Sequence, residues 1–156
     1  MDMRSAGLAG GAIGAVALVA TGAMMSGATA KGRLHWQDAA VVSRGQDIYA
    51  EYCAECHGST MAGQPGWRSR RADGNLPAPP HDESGHTWHH PDDMLFDLTK
   101  YGPAAMIGGG YQSDMPGFGG VLSDEDIEAV LAYIKASWPE EIRRAHDEIN
   151  ARAPSR

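Results

Sequence analysis

Cys53, Cys56 and His57 are the residues of this chain whose types and spacing point most directly to chemistry. They lie in the run Cys53-Ala54-Glu55-Cys56-His57, and C-x-x-C-H is the attachment pattern of a c-type haem. Thiols three residues apart on a helix lie about one turn from each other, so both can reach the vinyl groups on one edge of a porphyrin. The histidine that follows can place a ring nitrogen under the iron. The expectation is one covalent haem c, with Cys53 and Cys56 as its anchors and His57 as proximal ligand. The same thiol spacing also serves zinc sites and cytosolic redox pairs, and zinc would need two further ligands.

A haem iron of this kind usually takes a second axial ligand. Met61, Met94, Met106, Met115 and several histidines are candidates. Met61 is too close to His57 in the chain to swing round the ring, and Met94 falls on a helix face that also reads as core. Met115 is favoured. It precedes Pro116, which fixes its own φ and holds the residue before it extended. A thioether is a soft donor, so His/Met ligation raises the potential. It also leaves no open position for substrate. Electron transfer without a catalytic residue is therefore expected, rather than an enzyme.

These ligands need helices to carry them. Ile48, Tyr49, Tyr52, Cys53 and Cys56 form one apolar stripe, predicting a helix that stops near His57-Gly58. Gly45 near its start would let a second helix cross closely. Residues 61–91 hold Pro65, Pro77, Pro79, Pro80 and several glycines, which predicts loop. Pro91-Asp92-Asp93 predicts a second helix, with proline at its first position and acids in the first turn. Met94, Leu95, Leu98 and Tyr101 would be its inner face, and Lys100 and Gly102 its end. Residues 104–120 read as a Gly-rich loop. Ser123-Asp124-Glu125-Asp126 resembles a capping box, and Ile127, Val130, Leu131 and Ile134 predict a third helix ending near Trp138-Pro139. The charged run 140–152 could continue as a solvated helix. With no strand pattern, the fold class is all-α.

Two clusters carry competing readings. His86-Thr87-Trp88-His89-His90, together with His81, could ligate copper or zinc. The favoured reading is that these histidines hydrogen-bond to loop backbone or a propionate, because no ordered ligand spacing accompanies them. His89 or His90 could also replace Met115, which would lower the potential. Trp67, Arg68, Arg70 and Arg71 form an aromatic-basic cluster. Trp67, Arg68 and Arg70 are candidate propionate contacts, since Arg suits carboxylates bidentately. The alternative is a solvated loop.

The C-x-x-C-H run, then Met115-Pro116-Gly117-Phe118, then Leu122-Ser123-Asp124-Glu125-Asp126-Ile127 and Tyr133, together resemble bacterial class I cytochromes c. The resemblance covers about residues 42–138. It implies helices wrapped around one haem, with the first and last family helices crossing at a small residue. Gly45 and Tyr49 would face Val130 and Tyr133 there. The chain departs from the family pattern in the long segment 59–90.

The totals agree with this reading. At 156 residues the chain is one domain with tails. Aromatics make up only 7%, so a buried haem would supply apolar surface that the core lacks. Net charge is −7 and there is no long basic run, which argues against a nucleic-acid partner. Both cysteines lie in the motif, leaving none for a structural disulfide. Arg4 precedes an apolar stretch ending in Ala28-Thr29-Ala30, an export signal with an A-x-A cleavage pattern. It is also long enough to span a bilayer if uncut. The expected organisation is a signal peptide or N-terminal membrane anchor (1–30), a linker (31–41), a cytochrome c domain (42–138) and a charged extension (139–156). A periplasmic location follows, soluble or anchored to the inner membrane. The expected function is one-electron transfer from a dehydrogenase or respiratory complex to a terminal oxidase or reductase. The alternatives are a haem relay subunit of a larger membrane oxidoreductase, and a metal-handling or sensor protein using the His-rich loop.

Overall fold

The computed structural model describes Met1 and residues 32–154; the expected export signal lies outside the described residues. These form six α-helices: α1 (Ala39–Tyr52), α2 (Ala54–His57), α3 (Asp92–Tyr101), α4 (Pro103–Ile107), α5 (Asp124–Ser137) and α6 (Glu140–Arg152). A 3-10 turn spans Thr87–His89. There is no strand among the described residues, and the fold is all-α.

The frame is the crossing of α1 over α5. A Cβ added at Gly45 would stand 2.0 Å from the Ala129 carbonyl oxygen and 2.9 Å from Tyr133 Cβ. Only glycine allows this approach. Tyr49 and Tyr133 meet edge-on beside it, 5.6 Å between centroids. The residue facing Gly45 is thus Ala129, and the expected Val130 turns to an internal cavity instead. Ile127, Ala129, Val130, Ala132 and Ile134 of α5 are buried, and removing such apolar surface from water is the main driving force for this packing.

Local chemistry sets the helix ends. Asp38 accepts from the amides of Ala40 and Val41, so α1 begins inside the expected linker. That linker is also docked: Leu34 is buried, and Arg33 pairs with Glu128 while lying 3.6 Å over the Phe96 ring. At α5 the Ser123 hydroxyl accepts from the Asp126 amide while the Asp126 carboxylate accepts from Ser123 N–H, a full capping box. Gly58, at φ 80°, stops α2.

Three expectations need correction. On α3 the buried face is Asp92, Leu95, Phe96 and Thr99; Met94 and Tyr101 are exposed, and Pro91 is the N-cap rather than the first helical residue. Residues 103–107 are helical, not loop, because Pro103 stands where a helix tolerates a missing N–H. The extension is not a merely solvated helix. His146 of α6 is 0% exposed and packs edge-on against buried Trp138. Lys135 of α5 is 1% exposed, and its ammonium reaches Asp147 of α6 at 2.5 Å.

Candidate haem site

The short α2 follows α1 almost directly, so Cys53, Cys56 and His57 share one side of the fold. They line a cavity of about 580 Å³. Cys53 is half-buried and Cys56 exposed; neither is in a disulfide. Burial, with a smaller contribution from Cys56, pushes the Cys53 thiol up to about 11. It is therefore a neutral thiol here rather than a reactive thiolate. Leu95 and Leu98 of α3 and Leu131 and Ile134 of α5 add apolar lining to the same cavity.

His57 is only 6% exposed, and its Nδ1 lies 2.8 Å from the Pro79 carbonyl oxygen. A carbonyl only accepts, so Nδ1 carries the proton and Nε2 keeps a free lone pair. Metal-ligating histidines are commonly oriented in this way. Burial holds the ring below the usual histidine range, the bond to Pro79 acting weakly against it. The Tyr49 hydroxyl donates to the Gly58 carbonyl at 3.0 Å, which closes the turn after His57. The flat face of His57 carries the ring of His81, at 3.8 Å between centroids and 19° between planes.

The structure separates the methionine candidates. Met115 and Met94 line the cavity. Met61 is buried elsewhere, its sulfur accepting from the Ser137 hydroxyl at 3.1 Å. Met106 is exposed and not on the cavity wall. The basic cluster is also sorted. Trp67 and Arg68 line the cavity, with the Arg68 guanidinium 3.9 Å over the Trp67 ring. Arg70 does not; it donates to the Gly74 carbonyl at 2.6 Å. Arg71 lines the cavity in its place and pairs with Asp114.

Of the histidines of the 81–90 segment, His81, His86 and His90 line the same cavity as His57, so His90 stays a candidate beside Met115 and His89 does not. His86 stacks on Trp67, His90 meets the edge of His86, His89 packs on Trp88, and His81 is taken by His57. Among the described residues no group of three or more His, Cys, Asp or Glu could hold a metal ion. One contributor went unread in the sequence, the Pro79 carbonyl; the sequence marks His81 and Arg71 but not the contacts they make. Only the density of prolines at 77–80 hinted that this loop approaches the site.

An all-α cage whose cavity receives both thiols of C-x-x-C-H and a histidine with a free Nε2 defines a c-type cytochrome domain. Residues 40–134 match the family model described as cytochrome C oxidase, cbb3-type, subunit III, and the chain belongs to that family. No curated protein and no solved structure matches it. Membership implies covalently bound haem c, haem-based electron transfer and redox partners in a respiratory complex. Cytochrome c domains are typically exported or membrane-associated. Among the described residues no helix is long and apolar enough to cross a membrane.

Proposed function

We propose that the chain is an exported monohaem cytochrome that carries single electrons from a dehydrogenase or quinol-oxidising complex to a terminal oxidase or reductase. The observation that carries this reading is the fixed tautomer of His57 beside both thiols on one cavity wall. When bound, the haem supplies an Fe(II)/Fe(III) couple. The chain's residues do the rest. Cys53 and Cys56 anchor the porphyrin edge, and His57 offers Nε2 while Pro79 holds its other nitrogen. Met115, on the cavity wall, would be the second iron ligand, a soft thioether that favours the reduced iron. Leu95, Leu98, Leu131 and Ile134 keep water out. Trp67 and Arg68, on the cavity wall, would hold a propionate, with Arg71 of the same wall beside them in place of Arg70.

The test is the absorption spectrum of the periplasmic fraction in both redox states. A c-type Soret and α band that resist acid-acetone extraction, with a weak far-red band when oxidised, would bear out thioether attachment and sulfur ligation. A mature chain with the bare mass of its amino acids and no Soret band would refute it.

A second reading is favoured by the family's description: the haem is one relay stop in a larger membrane oxidoreductase. Detergent extraction separates the two. A carrier elutes alone, and a relay subunit co-elutes with oxidase chains. Export, with or without a retained anchor, rests on residues 1–30 and is read by the N-terminal sequence of the mature protein. The metal-handling reading would need three ligands gathered on one ion, and among the described residues no such group is present.

A further inference from the structure

We propose that His81 is a positioning residue for His57: its ring, lying flat on the His57 imidazole, fixes the rotation of that ligand about its own Cβ–Cγ bond. This rests on the haem reading above. One loop holds His57 twice. The Pro79 carbonyl holds the edge of the ring through Nδ1 at 2.8 Å, and two residues later the His81 ring supports its face at 3.8 Å and 19°. A hydrogen bond alone leaves a ring free to tilt about the bond axis; a parallel face beside it removes that freedom.

His81 is itself immobilised. Its amide donates to the Met61 carbonyl at 2.8 Å, and its carbonyl accepts from the indole N–H of buried Trp138 at 2.7 Å. Tyr49 stands edge-on to its ring, with 6.0 Å between centroids, so His81 lies between Tyr49 and His57. Its Nδ1 is buried and has no hydrogen-bond partner. The ring meets His57 by its flat face and not through that nitrogen. A flat apolar ring should therefore replace it, and a side chain without a flat face should not.

The plane of an axial imidazole decides which iron d orbital it overlaps, and this sets the rhombic splitting of the ferric signal and the spread of haem methyl resonances. The test uses the haem-loaded full chain as wild type, His81→Phe, His81→Leu and His81→Ala, read by electron paramagnetic resonance, proton NMR of the oxidised protein and midpoint potential. His81→Phe is expected to keep the wild-type g-values and methyl spread. His81→Leu and His81→Ala are expected to shift both beyond the wild-type linewidth and to move the potential, with the sulfur band intact. If His81→Ala does not accumulate, His81→Leu keeps most of the side-chain volume and carries the test alone. Wild-type g-values in His81→Leu, or a His81→Phe variant that behaves like His81→Leu, would overturn the proposal. Failure of the haem reading is distinct: wild type itself would give no haem spectrum.

Discussion

On the His57 side of the cavity the ligand ring is held on two sides. His57 is buried, bonded to Pro79 and faced by His81, and α1 behind it is pressed onto α5 at Gly45. On the Met115 side the loop is held through the neighbours of the ligand: Asp114 takes Arg71 and Asn75, and the Phe118 amide donates to the Thr99 carbonyl at 2.9 Å. Met115 is half-buried, its amide bonds to the Ser113 hydroxyl at 3.1 Å, and the loop is preceded by Gly108, Gly109 and Gly110, all at positive φ with open space around them. The difference teaches a division of labour. The proximal ring is itself fixed, on its edge and on its face, whereas Met115 is held through its backbone and its chain neighbours. Perturbing one side should not reproduce the effects of perturbing the other.

The largest effect should come from the proximal anchor. Cys53→Ser with Cys56→Ser removes both thioether positions, and the expected outcome is complete loss of covalent haem with loss of most folded protein. Mass spectrometry and acid-acetone extraction check it. Met115→Ala should keep the haem. Its midpoint potential should fall by a sizeable part of the roughly 0.8 V span that axial ligation covers. The iron should then bind small ligands such as imidazole, seen by optical titration. Met94→Ala, also on the cavity wall, should leave the potential in place. The reverse result would make Met94 the distal donor.

Gly45→Ala probes the frame behind His57. The added methyl meets backbone at 2.0 Å, so the helices must part. The cost should reach or exceed the about 1–3 kcal/mol typical of overpacking. Thermal melting of the haem-loaded chain should show it, while the sulfur band, which reports the Met115 side, stays at its wild-type position. A simultaneous loss of that band would mean the two sides are coupled, contrary to the comparison.

The same contrast explains what could be read from the sequence. Local patterns were legible: C-x-x-C-H, the small residue at 45, and the capping box from Ser123. Each is fixed by neighbours within one or two turns. The helix α4 was not, because five residues are too few to show a period and the glycines after it suggest loop. The inner face of α3 was misread because Met94 and Leu98 are apolar for the cavity rather than for the core. The placement of Arg71 instead of Arg70, and of His81 on His57, depends on a long segment without periodicity, whose contacts to the site are distant in sequence. The charge of α6 suggested full solvation, yet one histidine and one lysine partner tie it to the fold.

That histidine gives the smallest effect, on the support behind the His57 side. His146 Nε2 lies 2.9 Å from the His90 carbonyl, to which it donates, with Asp92 Oδ1 at 3.5 Å. Its Nδ1 is buried without a partner, so a second proton would have no acceptor. Burial, then Lys135, hold His146 below the ordinary value of 6.5; Asp92, the His90 carbonyl and Asp147 oppose this less strongly. The sign follows. The unfolded chain takes up the proton near 6.5 and the folded chain resists it, so the unfolded state binds more protons as pH falls. Stability from this residue is fully present above 6.5 and is lost as pH falls from there toward the lower folded value. Thermal melting at pH 7.5 and 5.5 should show the wild type losing more on acidification than His146→Leu. The variant should start lower by about 1 kcal/mol, since the His90 carbonyl loses its donor. Because Trp138 bridges His146 to the His81 carbonyl, acid should loosen the proximal support while leaving the sulfur band in place. An equal acid loss in both proteins would assign the pH response to the other histidines held below their ordinary range, His57, His81, His86 and His90.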